Sequence, residues 1–565
     1  MVRATFSGLN TALSALQANQ KRLDIVGQNL SNMYTTGYTR QQLNTSSLNY
    51  TGAISHYMNG SETNVGFGVS MDSVSQLRDP YLDAQYRYQM QKSNYTDSMQ
   101  ESLDSLAKVL DESNISGIRQ AFDDIQSSLT NMQDLSKVVD PIYETELRSR
   151  VQALTNLLNS SAAQIEEAQK TEYDKLDGEG SSEQGAIQKV NDILRQIGDL
   201  NVEIKKNQVL GQPSLELQDE RNVLLDELSS YVPIEVTYYK DDAHSGNKIY
   251  DYDSNGNIIG KKNWPDDMKV DLVYTDTNGD IQRLTLVNGS DLEDANGNRV
   301  KNYGSLTSVP ADGQGAADRS NPTNAAVKFT AAESAAKTTG ANTETTACAS
   351  GSQFSGGSIQ SSLDMLGKTG TGTTIGNTQN LDNVRGYQYY MDKLNVLAAT
   401  FANTMNDLNN LNGNAGNLLT SHKNADGTVN TANAAATIGI TKEWINGDAH
   451  VSTSGESQND TVLAMLNSMT SGQAGLGNRS YADYINNVST TLANDSSTNQ
   501  TSLKTNVTVL NSIQDSRDSI SGVSLDEEAS NMMTYASAYS AASRLMTTMD
   551  QLLDVLINST GTVGR

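Results

Sequence analysis

"NLSNMYTTGYTRQQL", residues 29–43, is the stretch on which the reading of this chain turns. It is neutral but for Arg40, and it shows neither strand alternation nor a helical stripe. Gly37, Tyr38 and Arg40 are placed for a turn. Directly before it, Leu9, Leu16, Leu23 and Leu30 recur every seven residues, and Leu13 and Val26 widen the stripe. That spacing predicts an amphipathic helix with an apolar seam, followed by a polar turn.

The other end of the chain carries a matching pattern. Leu525, Met532, Tyr539, Met546 and Leu553 are spaced by seven, and Tyr535, Ala542, Met549 and Leu556 form a second row. Ser524 and Glu527 have the spacing of a capping box, and Asp526, Glu527 and Glu528 place negative charge at the positive end of the helix dipole. The ends are oppositely charged. Residues 1–43 hold Arg3, Lys21, Arg22 and Arg40 against Asp24, whereas residues 525–557 hold five acids against Arg544. Such seams serve packing on the helix's own domain, pairing of the two termini with each other, or pairing with neighbouring subunits.

Between the ends lies more helix, predicted over 78–112, 117–135, 141–176, 183–208, 214–229, 380–411 and about 480–520. Residues 232–375 differ. "YVPIEVTYY", "KVDLVYT" and "IQRLTLVNG" are short strands rich in Val, Ile, Thr and Tyr, and Asn255-Gly256, Asn278-Gly279 and Asn296-Gly297 signal hairpins. Residues 305–375 are Ala/Thr/Ser/Gly-rich and are expected to form a loose loop or small irregular subdomain. "ATIGITKEW" (436–444) is strand-like. The expected fold is mainly α: an elongated multi-domain chain with a long helical-bundle core formed by both ends of the chain, a β-rich domain inserted in the middle, and coiled-coil-like termini. Its expected divisions are 1–75 (helix and turn), 76–231 (helical body), 232–375 (β-rich insertion), 376–411 (return helix), 412–479 (irregular, short strands) and 480–565 (C-terminal helices).

Composition bounds the function. The chain has 565 residues and a net charge of −26, which disfavours binding to nucleic acid. Hydrophobic residues make up 36%, with six Phe, two Trp and 43 Gly, so thin helical layers suit it better than one large globe. Cys348 is the only cysteine, which precludes an intramolecular disulfide. No apolar run approaches the roughly 20 residues that span a bilayer, and the N-terminus lacks the apolar core of a secretory signal peptide. Catalytic chemistry is missing too. His56, His244, His422 and His450 are scattered outside metal-ligand spacing. Cys348 has no nearby base. "GTGTTIG" (370–376) lacks the Lys of a phosphate loop. "DYDSNGNII" (251–259) imitates the start of a calcium loop, but Lys262 stands where the bidentate Glu is needed, so a hairpin is expected. The chain is expected to be no enzyme and to hold no cofactor or metal.

The opening stretch resembles the N-terminal signature of bacterial flagellar axial proteins, whose usual form is N-[IL]-A-N-x-x-T-P-G-[YF]-x-R. Asn29, Asn32, Thr35, Gly37, Tyr38 and Arg40 match it; Ser31 replaces Ala, and Thr36 stands where Pro is usual. "LRDPYLDAQYRYQ", "GQPSLELQDERNVLLDELSSYVPIEV", "NVLAATFANTMNDLN" and the C-terminal "SGVSLDEEASNMM…" resemble the junction subunits of that family, with Asp219, Arg221 and Asn222 in a D-x-R-[DN] motif. The resemblance implies a structural adaptor at the distal hook end that joins hook to filament and leaves the cell through the flagellar type III apparatus. It implies as partners the hook protein, a second junction protein, neighbouring copies and an export chaperone, with no membrane insertion and a monomer before assembly. Its implied location is extracellular, in the flagellum. A hook or filament subunit, or a secreted adhesin on flagellar-type helices, are the alternatives. The expected assembly interface comprises Leu9, Leu16, Leu23, Leu30, Asn29, Asn32, Gly37, Tyr38 and Arg40, with Leu525, Met532, Tyr535, Tyr539, Met546, Met549, Leu553 and Leu556. Isolated helices gain little without packing, so the terminal helices are expected to be mobile in the free subunit and to order on assembly.

Overall fold

The structure is a computed structural model. It describes all residues except 1, 49–67, 111, 179–181, 183, 241–249, 253–257, 262–265, 276–278, 291, 293–298, 312–316, 338–343, 349–353, 355, 371–372, 376–377, 381–383, 412, 414 and 560–565. In chain order the elements are α1 (Val2–Ser31), β1 (Gln41–Ser47), β2 (Val69–Gln76), α2 (Pro80–Val109), α3 (Glu112–Asn131), α4 (Leu135–Val138), α5 (Pro141–Asp177), α6 (Ala186–Val209) and α7 (Leu215–Tyr231). Then come β3 (Ile234–Lys240), β4 (Tyr250–Tyr252), β5 (Ile258–Lys261), β6 (Asp266–Thr275), β7 (Ile281–Asn288), β8 (Ser305–Pro310), β9 (Ala325–Thr330) and β10 (Glu344–Cys348). The chain ends with α8 (Ser358–Gly367), β11 (Thr373–Ile375), β12 (Thr378–Asn380), α9 (Tyr387–Asn409), α10 (Ala434–Thr437), α11 (Lys442–Asn446), α12 (Asp460–Thr470), α13 (Tyr481–Ser521) and α14 (Leu525–Ser559). The fold is mainly helical with small sheets, as expected.

Local chemistry starts the long helices. Asp79 accepts from Tyr81 N–H and Asp140 from Ile142 N–H, and each precedes a proline whose fixed φ suits a first turn. Ser480 caps α13 through Asp483 N–H. At α14, Ser524 Oγ accepts from Glu527 N–H at 3.5 Å. The Glu527 carboxylate does not close the capping box but is drawn to Arg40.

Two hydrophobic cores form the body. The first joins the far half of α2 to α3, α5, α9, α12 and the start of α13, where Phe122 stacks on Tyr481 with ring centroids 5.2 Å apart. The second lies under two three-stranded antiparallel sheets, ordered β3-β6-β7 and β10-β9-β8, which cover α6, α7 and α8. Leu272 of β6 pairs with Ile234 of β3 and Leu284 of β7. The antiparallel pair β4–β5 flanks the calcium-loop mimic, most of which lies outside the described residues.

Three expectations are corrected. Residues 305–375 are no loose loop: they supply a sheet and the helix α8, whose residues Ile359–Leu366 are all buried. Leu306, Val327, Phe329, Ile359, Leu363 and Leu366 build that packing together with small residues such as Ala325, Ala326 and Ser361, and the short apolar pattern is diluted by the Ala, Thr, Ser and Gly around it. "ATIGITKEW" is no strand; it spans the end of α10 and the start of α11, where Trp444 is buried and donates to Glu144 at 2.8 Å. The centre of the α1 seam is not the leucine column. Ala12, Ala18, Asn19, Ile25 and Val26 are buried, whereas Leu9, Leu16, Leu23 and Leu30 are half-buried on its flanks.

Candidate functional site: the signature turn and the paired termini

α1 and α14 pack along one another within a single chain, so the two termini pair as one of the sequence alternatives had it. Ala12 and Ala18 of α1 and Ala542 of α14 are buried. Arg22 lies over the Tyr535 ring at 5.5 Å and donates to Thr45 of the β1–β2 hairpin. Met549 reaches the backbone of α1 at Gly8, where a Cβ would lie 2.6 Å from the Met549 methyl. Tyr535, Tyr539, Met546, Met549 and Leu553 are half-buried on the inner side of α14. Leu525 and Met532 are exposed, at 52% and 37%, and the Leu556 side chain lies outside the described residues.

The turn after α1 is built around Asn29, which is 1% exposed. Its Nδ2 donates to Gln41 O (3.0 Å) and to Glu528 Oε2 (3.3 Å), and its Oδ1 accepts from Gln41 N–H (3.0 Å) and Tyr38 O–H (2.9 Å). One side-chain amide thus mimics a strand partner for Gln41 and uses its full bonding capacity. Asn32 shapes the local turn through Gln28 O and Thr35. Tyr38 N–H donates to Thr35 O at 3.1 Å, and Gly37 has φ +78°. A β-turn over 35–38 with positive φ at its third residue is type II. A Cβ on Gly37 would lie 2.2 Å from Val223 Cγ2 of α7. Burial, with Asp219, Glu216 and Glu528 close by, holds the Tyr38 phenol above its usual pKa.

Residues 39–41 then fasten four elements. Thr39 donates to both oxygens of Asp219 on α7, from N–H at 3.1 Å and from Oγ1 at 2.6 Å. Arg40 N–H donates to Ser521 O at the end of α13. Its guanidinium meets Glu527 at 2.6 Å and Glu528 at 2.9 Å. A chain of largely buried ion pairs continues from Asp219 through Arg78, Asp83, Arg517 and Asp226 to Arg87, tying α2, α7 and α13 together. Arg221 donates to Asn201, and Asn222 accepts from Arg87 and Tyr238. Sequence reasoning missed Thr39, Arg78, Asp83, Arg87, Asp226, Arg517 and Glu528 as members of this site. Arg78, Asp83 and Arg87 recur every four to five residues, a charged stripe that was there to be found.

No group of three or more His, Cys, Asp or Glu suited to a metal occurs among the described residues, and no described helix is long and apolar enough to cross a membrane.

Comparison with known proteins agrees with the motifs. The family model of the flagellar hook-associated protein FlgK helical domain matches residues 103–294. A flagellar basal body rod FlgEFG protein C-terminal model matches residues 514–559, and a flagella basal body rod protein model matches residues 9–39. Flagellar hook-associated protein 1 of Bacillus subtilis is 26% identical over 100% of both chains. The proteins of the same name from Salmonella typhimurium and Escherichia coli are 24% and 23% identical, over 97% of this chain and 99% of theirs. The flagellar hook junction protein FlgK of Burkholderia pseudomallei aligns over 60% of this chain and 46% of its own, at 17% identity and a TM-score of 0.38.

Proposed function

The chain belongs to the FlgK family of flagellar hook-associated proteins, and from that premise we propose that it is the structural adaptor seated at the distal end of the hook, joining hook to filament. Its work is mechanical, and nothing in the reading requires it to be an enzyme. The observation that carries the reading is the pairing of α1 with α14 through the signature turn, since both ends of the chain must be present to make that unit. Half-buried Leu9, Leu16, Leu23 and Leu30, with exposed Leu525, Met532, Leu545 and Leu552, flank the pair and leave apolar surface for neighbouring subunits to cover.

On this reading the α1–α14 unit inserts among the equivalent helices of hook protein, of a second junction protein and of other copies, and the helical body and sheets stand outside it. The divisions 1–75 and 480–565 are then the assembly regions. The chain leaves the cell through the flagellar type III apparatus, escorted as a monomer by an export chaperone, and works outside the cell. Deleting residues 525–565 in cells tests the adaptor role. Filament subunits are expected to leak into the medium because no junction forms. Normal filaments in that strain overturn the reading.

A further inference from the structure

α2 changes character along its length. Its later turns bury Met99, Leu103 and Leu106 in the first hydrophobic core, but the buried residues of its earlier turns are all polar: Asp83, Arg87, Gln89, Gln91, Ser93 and Thr96, with Gln100 and Ser102 at the border. α13 mirrors it. Tyr481, Tyr484, Ile485, Val488 and Leu492 enter the same core, and no residue of α13 beyond Asn499 is buried. From there to Ser521, α13 leans on α2 along one line of half-buried residues, Leu503, Asn506, Leu510, Ile513 and Arg517, and most of its other residues are exposed.

Side-chain hydrogen bonds and ion pairs stitch this line. Asn499 Nδ2 donates to Thr96 O (2.8 Å) and Gln100 Oε1 (3.0 Å). Gln89 Nε2 donates to Asn506 O (3.1 Å) and Oδ1 (3.2 Å), and Asn506 Nδ2 donates to Thr96 Oγ1 (3.3 Å). Near the end of α13, Arg517 pairs with Asp83 (3.2 Å) and with Asp226 of α7 (2.7 Å), and lies over the Tyr86 ring at 4.7 Å. α2 is also held to α7 here, through Arg87 to Asp226 and Asn222, so it keeps a partner if α13 leaves. We propose that residues 500–521 of α13 form a polar zipper on α2 that opens locally while both hydrophobic cores stay closed, and that Arg517 is the clamp that sets how readily it opens. Polar side-chain bonds contribute little net free energy, because water replaces them on opening, whereas the first half of α13 would have to expose apolar core. Segments with few buried apolar contacts open first. The clamp sits at the end where opening starts, and Asn499 marks the edge of the core where it stops. The inference concerns the free chain and stands whether or not the chain joins hook to filament.

Amide hydrogen exchange on the full chain, read peptide by peptide by mass spectrometry, tests it. In the parent, residues 503–517 are expected to exchange faster than residues 484–492 of the same helix, yet slower than an unstructured peptide. R517A is expected to speed exchange over 503–517 by roughly ten- to a hundredfold, the loss of one charged hydrogen-bonding partner, and to leave residues 484–492 and α9 as in the parent. R517K keeps the charge without the planar fork and is expected to fall between. Where R517A folds poorly, the double variant Q89L/N506L gives the opposite readout. An apolar contact in place of the polar one is expected to slow exchange over 503–517, which no merely disruptive substitution does. Equal exchange along the whole of α13 in the parent, or α9 accelerated together with 503–517 in R517A, overturns the zipper, because the helix then opens only with the body. No slowing in Q89L/N506L overturns it as well. Exchange over 503–517 that is unchanged in R517A, or already at the unstructured rate in the parent, overturns the clamp.

Discussion

Arg40 Nε lies 2.9 Å from Glu528 Oε1, although the two residues stand at opposite ends of the chain. Glu528 is 1% exposed and also accepts from Asn29, so its charge is committed to this pair. Glu527, the second partner of Arg40, is largely exposed, its side chain 62% accessible. The two glutamates should therefore behave differently. Removing Arg40 with R40A leaves a buried carboxylate without its cation, a loss on the order of 3–5 kcal/mol, whereas E527A removes an exposed pair worth up to about 1 kcal/mol. Chemical unfolding of the two variants followed through helical signal checks the order. Equal effects would mean that the Arg40 guanidinium contributes only through its exposed pair with Glu527.

Gly37 should tolerate no side chain. Its φ of +78° disfavours an L residue, and the Cβ of alanine would lie 2.2 Å from Val223 Cγ2. G37A is expected to cost about 1–3 kcal/mol for the backbone conformation, plus the clash. Adding V223A should return the clash portion and not the conformational portion. Thermal midpoints of the single and double variants separate the two.

Much of the fold was legible because it is local. Caps at Asp79, Asp140, Ser480 and Ser524 and helical periodicity mark the long helices, and Val/Ile/Tyr runs mark β3, β6 and β7. Two things were not legible, each for a physical reason. α8 and the β8–β9–β10 sheet bury Leu306, Val327, Phe329, Ile359, Leu363, Met365 and Leu366, but these are scattered among Ala, Ser, Thr and Gly that look the same in a loop as in a tight core. The buried line of α1 runs through Ala12, Ala18, Asn19, Ile25 and Val26 and not along the leucine column, because which face of an amphipathic helix meets its partner is set by tertiary packing and not by the heptad count alone. The turn was visible as a motif, but its partners were not. Asp219 stands 180 residues away and Arg517 further still, and nothing local links them to Thr39 or Asp83.

The position where the family places proline is explained by the turn. Thr36 is the second residue of a type II turn closed by Tyr38 N–H on Thr35 O, and proline favours that position. Thr36 is exposed, and its N–H donates to no backbone carbonyl in the turn. T36P is therefore expected to stabilise the chain by about 0.4–1 kcal/mol, chiefly by restricting the unfolded state. Denaturant midpoints of T36P and the parent measure it, and a lowered midpoint would show that the turn relies on freedom at this residue.

Acid should stabilise the body before it unfolds it. Asp364 of α8 is 1% exposed, and burial pushes its carboxyl up to about 6, against the pull of Lys368 (3.0 Å), Tyr95 (2.7 Å) and Gln360 (2.6 Å). In the unfolded chain the same carboxyl titrates near 3.9. Between those values the folded state holds a proton that the unfolded state has lost. The contribution of Asp364 is thus most favourable below about pH 4 and declines as pH rises through about 6. The full difference is on the order of 3 kcal/mol. Burial raises Asp219, Asp392 and Asp495 in the same direction, so they reinforce the slope. The unfolding free energy is expected to rise as pH falls from 7 to 5, and D364N should flatten that rise whatever it does to absolute stability through Lys368. A slope unchanged in D364N would show that the carboxyl binds no more proton in the folded than in the unfolded chain across this range.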